Sequence, residues 1–261
     1  MDAPVFVFSA GWRSGSTLVQ RLLCSSKEIM VWGESGGALN DFADAFIRYQ
    51  QMLGPGGQRF KHGYGGNGSG QFRAFINNSS DGGEWIACMN PDVGHIQQAI
   101  KGTVDTIYAD PAVANGYSRW GVKEVLADAQ TAEFLKLLYP NARFVFLVRH
   151  PFDCVGSIKQ RKWMDLPPGH DPINFFGTIW RNLANDFRAC EFGLKIRYED
   201  LIRDPAVIQQ ILDYTGVENI ADDFVSRSKV NWKPMDDSSL GFFEKRRLKR
   251  IVSDEMRQWK Y

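Results

Sequence analysis

The sequence predicts an α/β protein in which a mostly parallel sheet lies between two layers of helices. Short apolar runs that are typical of buried strands cover residues 5–10, 29–34, 120–126, 143–149 and 194–200. Segments with apolar residues near a 3.6-residue period lie between most of these runs. Because apolar strands that alternate with helices favour a parallel sheet buried on both faces, we expect a three-layer architecture.

The helical segments follow in chain order. The first, TLVQRLLCSS, begins at Thr17, after the first strand and a turn that contains two glycines. The later ones are TAEFLKLLYP at 131–140, PFDCVGSIKQRKW at 151–163, PINFFGTIWRNLANDFRACEF at 172–192 and PAVIQQILDYTG at 205–216. Each has the apolar stripe expected of a helix that covers a sheet.

The composition is ordinary for a globular protein and excludes several classes. The chain is 44% hydrophobic and 23% charged, which argues against disorder. Lys and Arg total 31 against 30 for Asp and Glu, so a net charge of +1 gives no general attraction to nucleic acid. The four cysteines lack metal-ligand spacing, and no apolar run suits a signal peptide or a membrane span. We therefore expect a single cytoplasmic domain over residues 1–261.

Two stretches stand apart from the alternation of strands and helices. Residues 54–83 are rich in Gly, Asn and Ser and are too long for a plain connection. They predict either a mobile insertion or a lid, and the lid is favoured because ligands of open α/β sheets bind near this position. The basic stretch EKRRLKRIV at 244–252 predicts a solvated helix face, although it could also close over a phosphate.

The turn after the first strand has the features of an anion site. In FVFSAGWRSGSTLVQRLL, residues 6–23, backbone N–H groups and the positive end of a helix dipole point at one spot. The nearest general pattern is the P-loop, but Ser16 stands where the P-loop has Lys. The positive charge lies on Arg13 instead. This favours a phosphate-like group other than ATP, bound without a metal.

Two other functions stay open on these residues. A P-loop kinase would use ATP and magnesium, but the chain has no Lys after Gly15 and no convincing magnesium-binding Asp after an apolar strand. A non-catalytic nucleotide-binding module would keep the fold and lack a base.

Three segments in this order resemble the sulfotransferase family, whose members transfer a sulfuryl group from 3′-phosphoadenosine 5′-phosphosulfate (PAPS) to a hydroxyl or amine. They are GWRSGSTLVQRLL at 11–23, RFVFLVRHPFDCVGSIKQR at 143–161 and KIRYEDLIRDP at 195–205. The resemblance implies a P-loop NTPase-like sulfotransferase fold, PAPS as the donor and 3′-phosphoadenosine 5′-phosphate (PAP) as the product. The motif spacing is most similar to that of the protein-tyrosine sulfotransferase branch.

The resemblance also implies which residues bind the donor. The first segment is similar to the 5′-phosphosulfate loop, often P-x-R-S-G-T-T, with a tryptophan in place of the proline. It implies donor contacts from Trp12, Arg13, Ser14, Gly15, Ser16 and Thr17. Arg149 and Ser157 have the eight-residue spacing of the family's 3′-phosphate pair, and Arg161 follows one helical turn later. His150 stands where the family usually has Asp, and Tyr198 in the third segment is implied to lie near the nucleotide.

Sulfuryl transfer needs an in-line acceptor oxygen, a base and cations against the developing charge. Arg13 is the first expected cation. Lys123 is the second, because it precedes Arg149 by 26 residues, as a similar lysine does in the tyrosyl-protein branch. Glu34 lies 21 residues after Arg13 in a G-E context that resembles the catalytic glutamate of that branch, and is the expected general base.

Other candidates for catalysis stay open. Small-molecule sulfotransferases use a histidine as the base, and this chain has His62, His95, His150 and His170. Ser228 resembles a serine that approaches the bridging oxygen, and Lys233 is expected to reach the nucleotide. The acceptor is a hydroxyl compound that the sequence leaves open among a tyrosyl peptide, a sugar, a lipid headgroup and a small natural product.

Overall fold

The computed structural model describes residues 3–53, 65–66, 90–91, 93–163, 166, 169–218, 220 and 240–261. Its strands are β1 (Val5–Ser9), β2 (Ile29–Trp32), β3 (Gly65–Gly66), β4 (Asn90–Pro91), β5 (Arg119–Glu124), β6 (Arg143–Val148) and β7 (Leu194–Arg197). Its α-helices are α1 (Ser16–Cys24), α2 (Ala38–Leu53), α3 (Val93–Val104), α4 (Asp110–Ala114), α5 (Ala129–Leu138), α6 (Pro151–Gln160), α7 (Pro172–Ala189), α8 (Tyr198–Arg203), α9 (Pro205–Thr215) and α10 (Phe242–Gln258).

The chain divides into two compact units. The larger unit contains residues 1–37 and 108–261, and the smaller contains residues 38–107. In the smaller unit, α2 packs against α3, and β3 pairs with β4 in parallel. The expected lid at 54–83 lies outside the described residues, apart from its two residues in β3, so the lid and the single domain over 1–261 stay predictions.

The larger unit is built on a parallel five-stranded sheet with the order β2-β5-β1-β6-β7. Each of the five apolar runs forms one of these strands, which confirms the predicted α/β class. The central position of β1 brings its carboxyl end between those of β5 and β6. Ligands of open parallel sheets bind at this edge, where the strand-to-helix loops converge.

The two faces of the sheet bury different side chains. In the register of β1 and β6, Phe6 lies beside Phe144, and their rings stack at 5.1 Å on one face. Phe187 of α7 packs on this aromatic face, 4.9 Å from the ring of Phe146. On the other face, the valines of β1 join a buried aliphatic cluster with residues of α1 and α9. Both faces are therefore covered by helices, which confirms the three predicted layers.

Capping residues explain where the predicted helices begin and end. Asp128 accepts a hydrogen bond from the backbone N–H of Thr131 at the start of α5, and Asp171 does the same for α7. Gly216 ends α9 in the left-handed conformation. No helix among the described residues is both long enough and apolar enough to cross a bilayer.

The strand predicted at 194–200 is too long. The extended backbone ends at Arg197, and Tyr198 begins α8. Glu199 and Asp200 lie in the first turn of that helix, where carboxylates are favoured by the helix dipole. The Arg197 guanidinium also binds the Asp200 carboxylate at 2.7 Å, which stabilises the turn from strand to helix.

Residues 244–252 form part of α10, and their apolar members bury that helix against α7. Leu248 and Val252 are fully buried. Lys159 donates to the Glu244 carboxylate at 2.6 Å, and Arg247 forms an ion pair with Asp171. Lys249 and Arg250 are exposed, as expected for a solvated helix face.

Candidate active site

A cleft of about 590 Å³ opens at the carboxyl edge of the sheet in the larger unit. It is lined by residues of the β1–α1 turn and the start of α1, of the segments that follow β2, β5 and β6, of the start of α8 and of the segment that follows α6. These residues are Trp12, Arg13, Gly15, Ser16, Thr17, Glu34, Val125, Arg149, Trp163 and Tyr198. Segments that follow all five strands of the sheet therefore contribute to one site.

The β1–α1 turn is held by hydrogen bonds to the neighbouring strands and loops. The Ala10 N–H donates to the Leu147 carbonyl at 3.0 Å, and the Gly11 N–H donates to the Val125 carbonyl at 3.2 Å. Ser14 is buried and its hydroxyl donates to the Gly11 carbonyl at 2.9 Å. The turn therefore presents the N-terminal end of α1 to the cleft from a fixed position.

Gly15 is required in this turn for two reasons. Its φ of +91° lies in the left-handed region, and a Cβ at this position would lie 2.2 Å from the Tyr198 ring. Gly15→Ala should lower the free energy of unfolding by at least about 1–2 kcal/mol, the cost of the left-handed backbone alone. Urea denaturation measures this loss.

Two further variants separate the causes. The double variant Gly15→Ala with Tyr198→Ala removes the overlap with the ring and keeps the strained backbone. Its loss in the free energy of unfolding should therefore be smaller than the sum of the losses in the two single variants. Gly102→Ala is the control, because a Cβ there meets open space on α3. A Gly15→Ala protein as stable as the Gly102→Ala protein would contradict the described turn.

Two arginines and a serine contact one another beside this turn. The Arg13 Nε–H donates to the Ser157 hydroxyl at 3.0 Å, and Arg149 Nη1 donates to the Arg13 carbonyl at 2.9 Å. The Arg149 guanidinium lies 4.8 Å above the Tyr198 ring. Within the described part of the chain, the Arg149 Nε–H is buried and has no acceptor. A buried N–H of this kind provides a position for an anion oxygen.

The electrostatics of the cluster also favour an anion. Burial lowers the pKa of Arg13, and the positive charges of Arg161 and Arg149 lower it further. The Asp153 carboxylate lies 3.7 Å from Arg149 Nη2, and burial raises the pKa of Asp153. A bound phosphate or sulfate would relieve the repulsion among the guanidinium groups.

A second charged group lies at the ends of β2 and β5. Lys123 is 5% exposed and forms an ion pair with Glu34, which is partly exposed to the cleft. A buried ammonium is costly without a partner, and Glu34 is that partner in this conformation. The parallel register, in which Trp32 lies beside Val122, explains why the following residues of the two strands meet.

Residues 4–222 match the profile of the sulfotransferase family. The chain belongs to this family. Among solved structures, the sulfotransferase domain from the curacin biosynthetic pathway is 16% identical, with a TM-score of 0.57 and coverage of 100% of this chain and 98% of that chain. Mouse sulfotransferase SULT7A1, solved in complex with PAP, is 10% identical, with a TM-score of 0.50 and coverage of 98% and 84%. No curated protein matches the chain.

Most of the sulfotransferase residues expected from the sequence lie in or beside the cleft. Ser157 lies on α6 and accepts a hydrogen bond from Arg13. Arg161 lies at the end of α6, and its positive charge acts on Arg13. The Ser14 hydroxyl is used within the turn, so its side chain supports the loop rather than lining the cleft. Ser228 and Lys233 lie outside the described residues. The roles of all these residues stay predictions.

The histidines occupy different positions from the predicted base Glu34. His150 precedes α6, and its ring packs 5.1 Å from the Tyr261 ring. Burial lowers the pKa of His150. His95 and His170 are exposed, and His62 lies outside the described residues.

The structure adds residues that the sequence motifs missed in this sulfotransferase. Trp163 lines the cleft, with the Arg13 guanidinium 5.5 Å from its ring. Glu124 is fully buried, and its carboxylate accepts from the Ser35 N–H at 2.8 Å, the Ser35 hydroxyl at 2.7 Å and the Val125 N–H at 2.8 Å. It therefore fixes the backbone directly after Glu34. A carboxylate beside a lysine inside an otherwise apolar run, as in WGVKEVL, is the signal that could have identified Glu124.

Proposed function

We propose that this sulfotransferase uses PAPS as its donor and transfers the sulfuryl group in line to a hydroxyl acceptor, without a metal. The observation that carries the proposal is the cluster of Arg13, Arg149 and Ser157 at the N-terminal end of α1, with the unpartnered Arg149 Nε–H. A related fold is known with PAP bound, in SULT7A1. The Arg149 guanidinium and the Ser157 hydroxyl are suited to a dianionic 3′-phosphate, and the Arg13 guanidinium is suited to the phosphosulfate end of the donor.

The donor would bind with its two anionic ends at different parts of the cleft. Arg149 and Ser157, supported by Arg161, would bind the 3′-phosphate. The backbone N–H groups of residues 12–17 would bind the 5′-phosphosulfate, as the end of a helix dipole favours. Trp12, whose ring contacts Phe176 edge-on at 5.6 Å, would form a wall of this site.

In the proposed reaction, the acceptor oxygen attacks sulfur while the bond between sulfur and the bridging oxygen breaks. The acceptor proton passes to the Glu34 carboxylate, and the bridging oxygen leaves with PAP. Arg13 and Lys123 would stabilise the charge that grows on the departing and equatorial oxygens. Because Lys123 and Glu34 are paired in this conformation, the sulfonate of the donor would compete with Glu34 for the ammonium. That competition would free the carboxylate for the acceptor.

A ligand comparison tests this proposal against its rivals. PAP should raise the melting temperature by roughly 5 °C or more at 100-fold excess over its Kd, and more than AMP does at the same concentration. Stronger stabilisation by ATP with magnesium would instead support a kinase. Transfer of labelled sulfate from PAPS to a simple phenol separates an enzyme from a non-catalytic module.

The class of acceptor substrate and the cellular location of the protein are further parts of this proposal. A screen of tyrosyl peptides, sugars, lipid headgroups and small natural products with labelled PAPS would identify the acceptor class. The cytoplasmic location, expected from the scattered cysteines, stays a prediction; among the described cysteines, Cys154 and Cys190 are buried free thiols.

A further inference from the structure

The peptide group that follows Arg149 is held at both of its polar atoms by side chains from other elements. The Trp180 indole N–H, on α7, donates to the Arg149 carbonyl at 2.9 Å. The His150 N–H donates to the Glu199 carboxylate, on α8, at 2.9 Å. These two atoms belong to one planar peptide unit, so the two bonds together fix its orientation.

Glu199 is itself held by a residue that follows α10. The Tyr261 hydroxyl donates to the second oxygen of the Glu199 carboxylate at 2.7 Å. Burial raises the pKa of Tyr261, and the negative charge of Glu199 raises it further, so the hydroxyl stays protonated and keeps donating. The Tyr261 N–H donates to the Met256 carbonyl at 2.9 Å, and the Tyr261 ring packs on the His150 ring. The tyrosine is therefore fixed at both its backbone and its ring.

The orientation of this peptide group controls where the Arg149 guanidinium lies. Arg149 is nearly buried, stacks on Tyr198 and donates to the Arg13 carbonyl, so its side chain has little freedom to compensate for a shifted backbone. A guanidinium binds a phosphate in the bidentate mode only when two of its N–H groups are aligned with phosphate oxygens. Small displacements of the backbone would therefore weaken a 3′-phosphate contact much more than contacts elsewhere in the cleft.

We propose that Glu199 and Tyr261 are positioning residues for Arg149 and that they set the preference of the cleft for a nucleotide that carries a 3′-phosphate. The inference rests on the proposed function, because it requires Arg149 to bind that phosphate. Tyr261 acts through Glu199 and the His150 N–H, and it needs no contact with the nucleotide.

Calorimetry with PAP and AMP tests this, because the two ligands differ only in the 3′-phosphate. Tyr261→Phe should raise the Kd for PAP about three- to tenfold and change the Kd for AMP less than about twofold. Tyr214→Phe is the matched control, since it removes a tyrosine hydroxyl that does not line the cleft and that accepts a hydrogen bond from the Phe144 N–H at 3.5 Å. The control should change neither Kd.

A second pair of variants tests the hydrogen bond to the peptide. Glu199→Gln keeps a carbonyl oxygen that can accept from the His150 N–H, whereas Glu199→Ala removes it. The alanine variant should therefore lose more PAP affinity than the glutamine variant. Steady-state kinetics should show a raised KM for PAPS with kcat at saturating PAPS nearly unchanged.

The possible failures are distinct. If the unchanged protein binds PAP no better than AMP, the proposed function is wrong. If it prefers PAP and Tyr261→Phe keeps that preference, the positioning role is wrong. Equal losses of PAP and AMP affinity in Tyr261→Phe would also overturn the positioning role, because they would show that Tyr261 supports the cleft as a whole.

Discussion

Glu34→Gln is expected to lower kcat by about 10² to 10⁴, the usual contribution of a positioned general base. The glutamine has nearly the same shape and cannot accept the acceptor proton. The Kd for PAP should stay within a factor of about three, because PAP lacks the sulfonate that would compete for Lys123. Single-turnover transfer from labelled PAPS, with an aliphatic alcohol as the acceptor, measures the chemical step directly.

The control for this variant is Glu133→Gln. Glu133 is exposed on α5 and does not line the cleft, so its replacement should leave kcat and the Kd for PAP unchanged. An aliphatic alcohol is the right acceptor, since it must lose its proton during transfer. If Glu34→Gln keeps nearly full activity with that acceptor, the base lies elsewhere. His62, His95 and His150 would then be replaced in turn.

Much of the fold could be predicted because the strands are buried on both faces. VFVF at residues 5–8 of β1 and FVFL at residues 144–147 of β6 alternate aromatic and aliphatic residues, and over residues 6–8 the register places each β1 side chain beside the same residue type in β6. The anion site in the β1–α1 turn could also be predicted, since Arg13 and the two glycines of the turn lie within five residues of sequence. Local patterns of this kind depend on neighbouring residues, so a single sequence contains the required information.

The contacts inside the site depend on topology and were harder to predict. Glu34 and Lys123 are 89 residues apart, and they meet because β2 pairs with β5 rather than with β1. The sequence around each residue predicts a site residue, but it does not predict their ion pair, because that pair depends on the strand order. Tyr261 has no motif at all, because its contact with Glu199 is set by the packing of α10 on α7.

Arg149→Ala is expected to weaken PAP binding by about 1.5 to 3 kcal/mol, or roughly 10- to 150-fold in Kd, the scale of lost charge-assisted hydrogen bonds. AMP binding should change much less, because AMP lacks the 3′-phosphate. Calorimetry with both nucleotides measures the difference. Arg149→Lys should lie between the alanine variant and the unchanged protein, since lysine keeps the charge and loses the planar fork.

The structure provides a matched control at the other end of the same strand. Arg143 begins β6, and its guanidinium lies 5.5 Å from the Tyr214 ring, away from the residues that line the cleft. Arg143→Ala should therefore leave both affinities unchanged. Because Arg149 also donates to the Arg13 carbonyl, its removal could loosen the β1–α1 turn, and AMP binding reports on that turn. Equal losses of PAP and AMP affinity would show that Arg149 supports the turn rather than binding a 3′-phosphate.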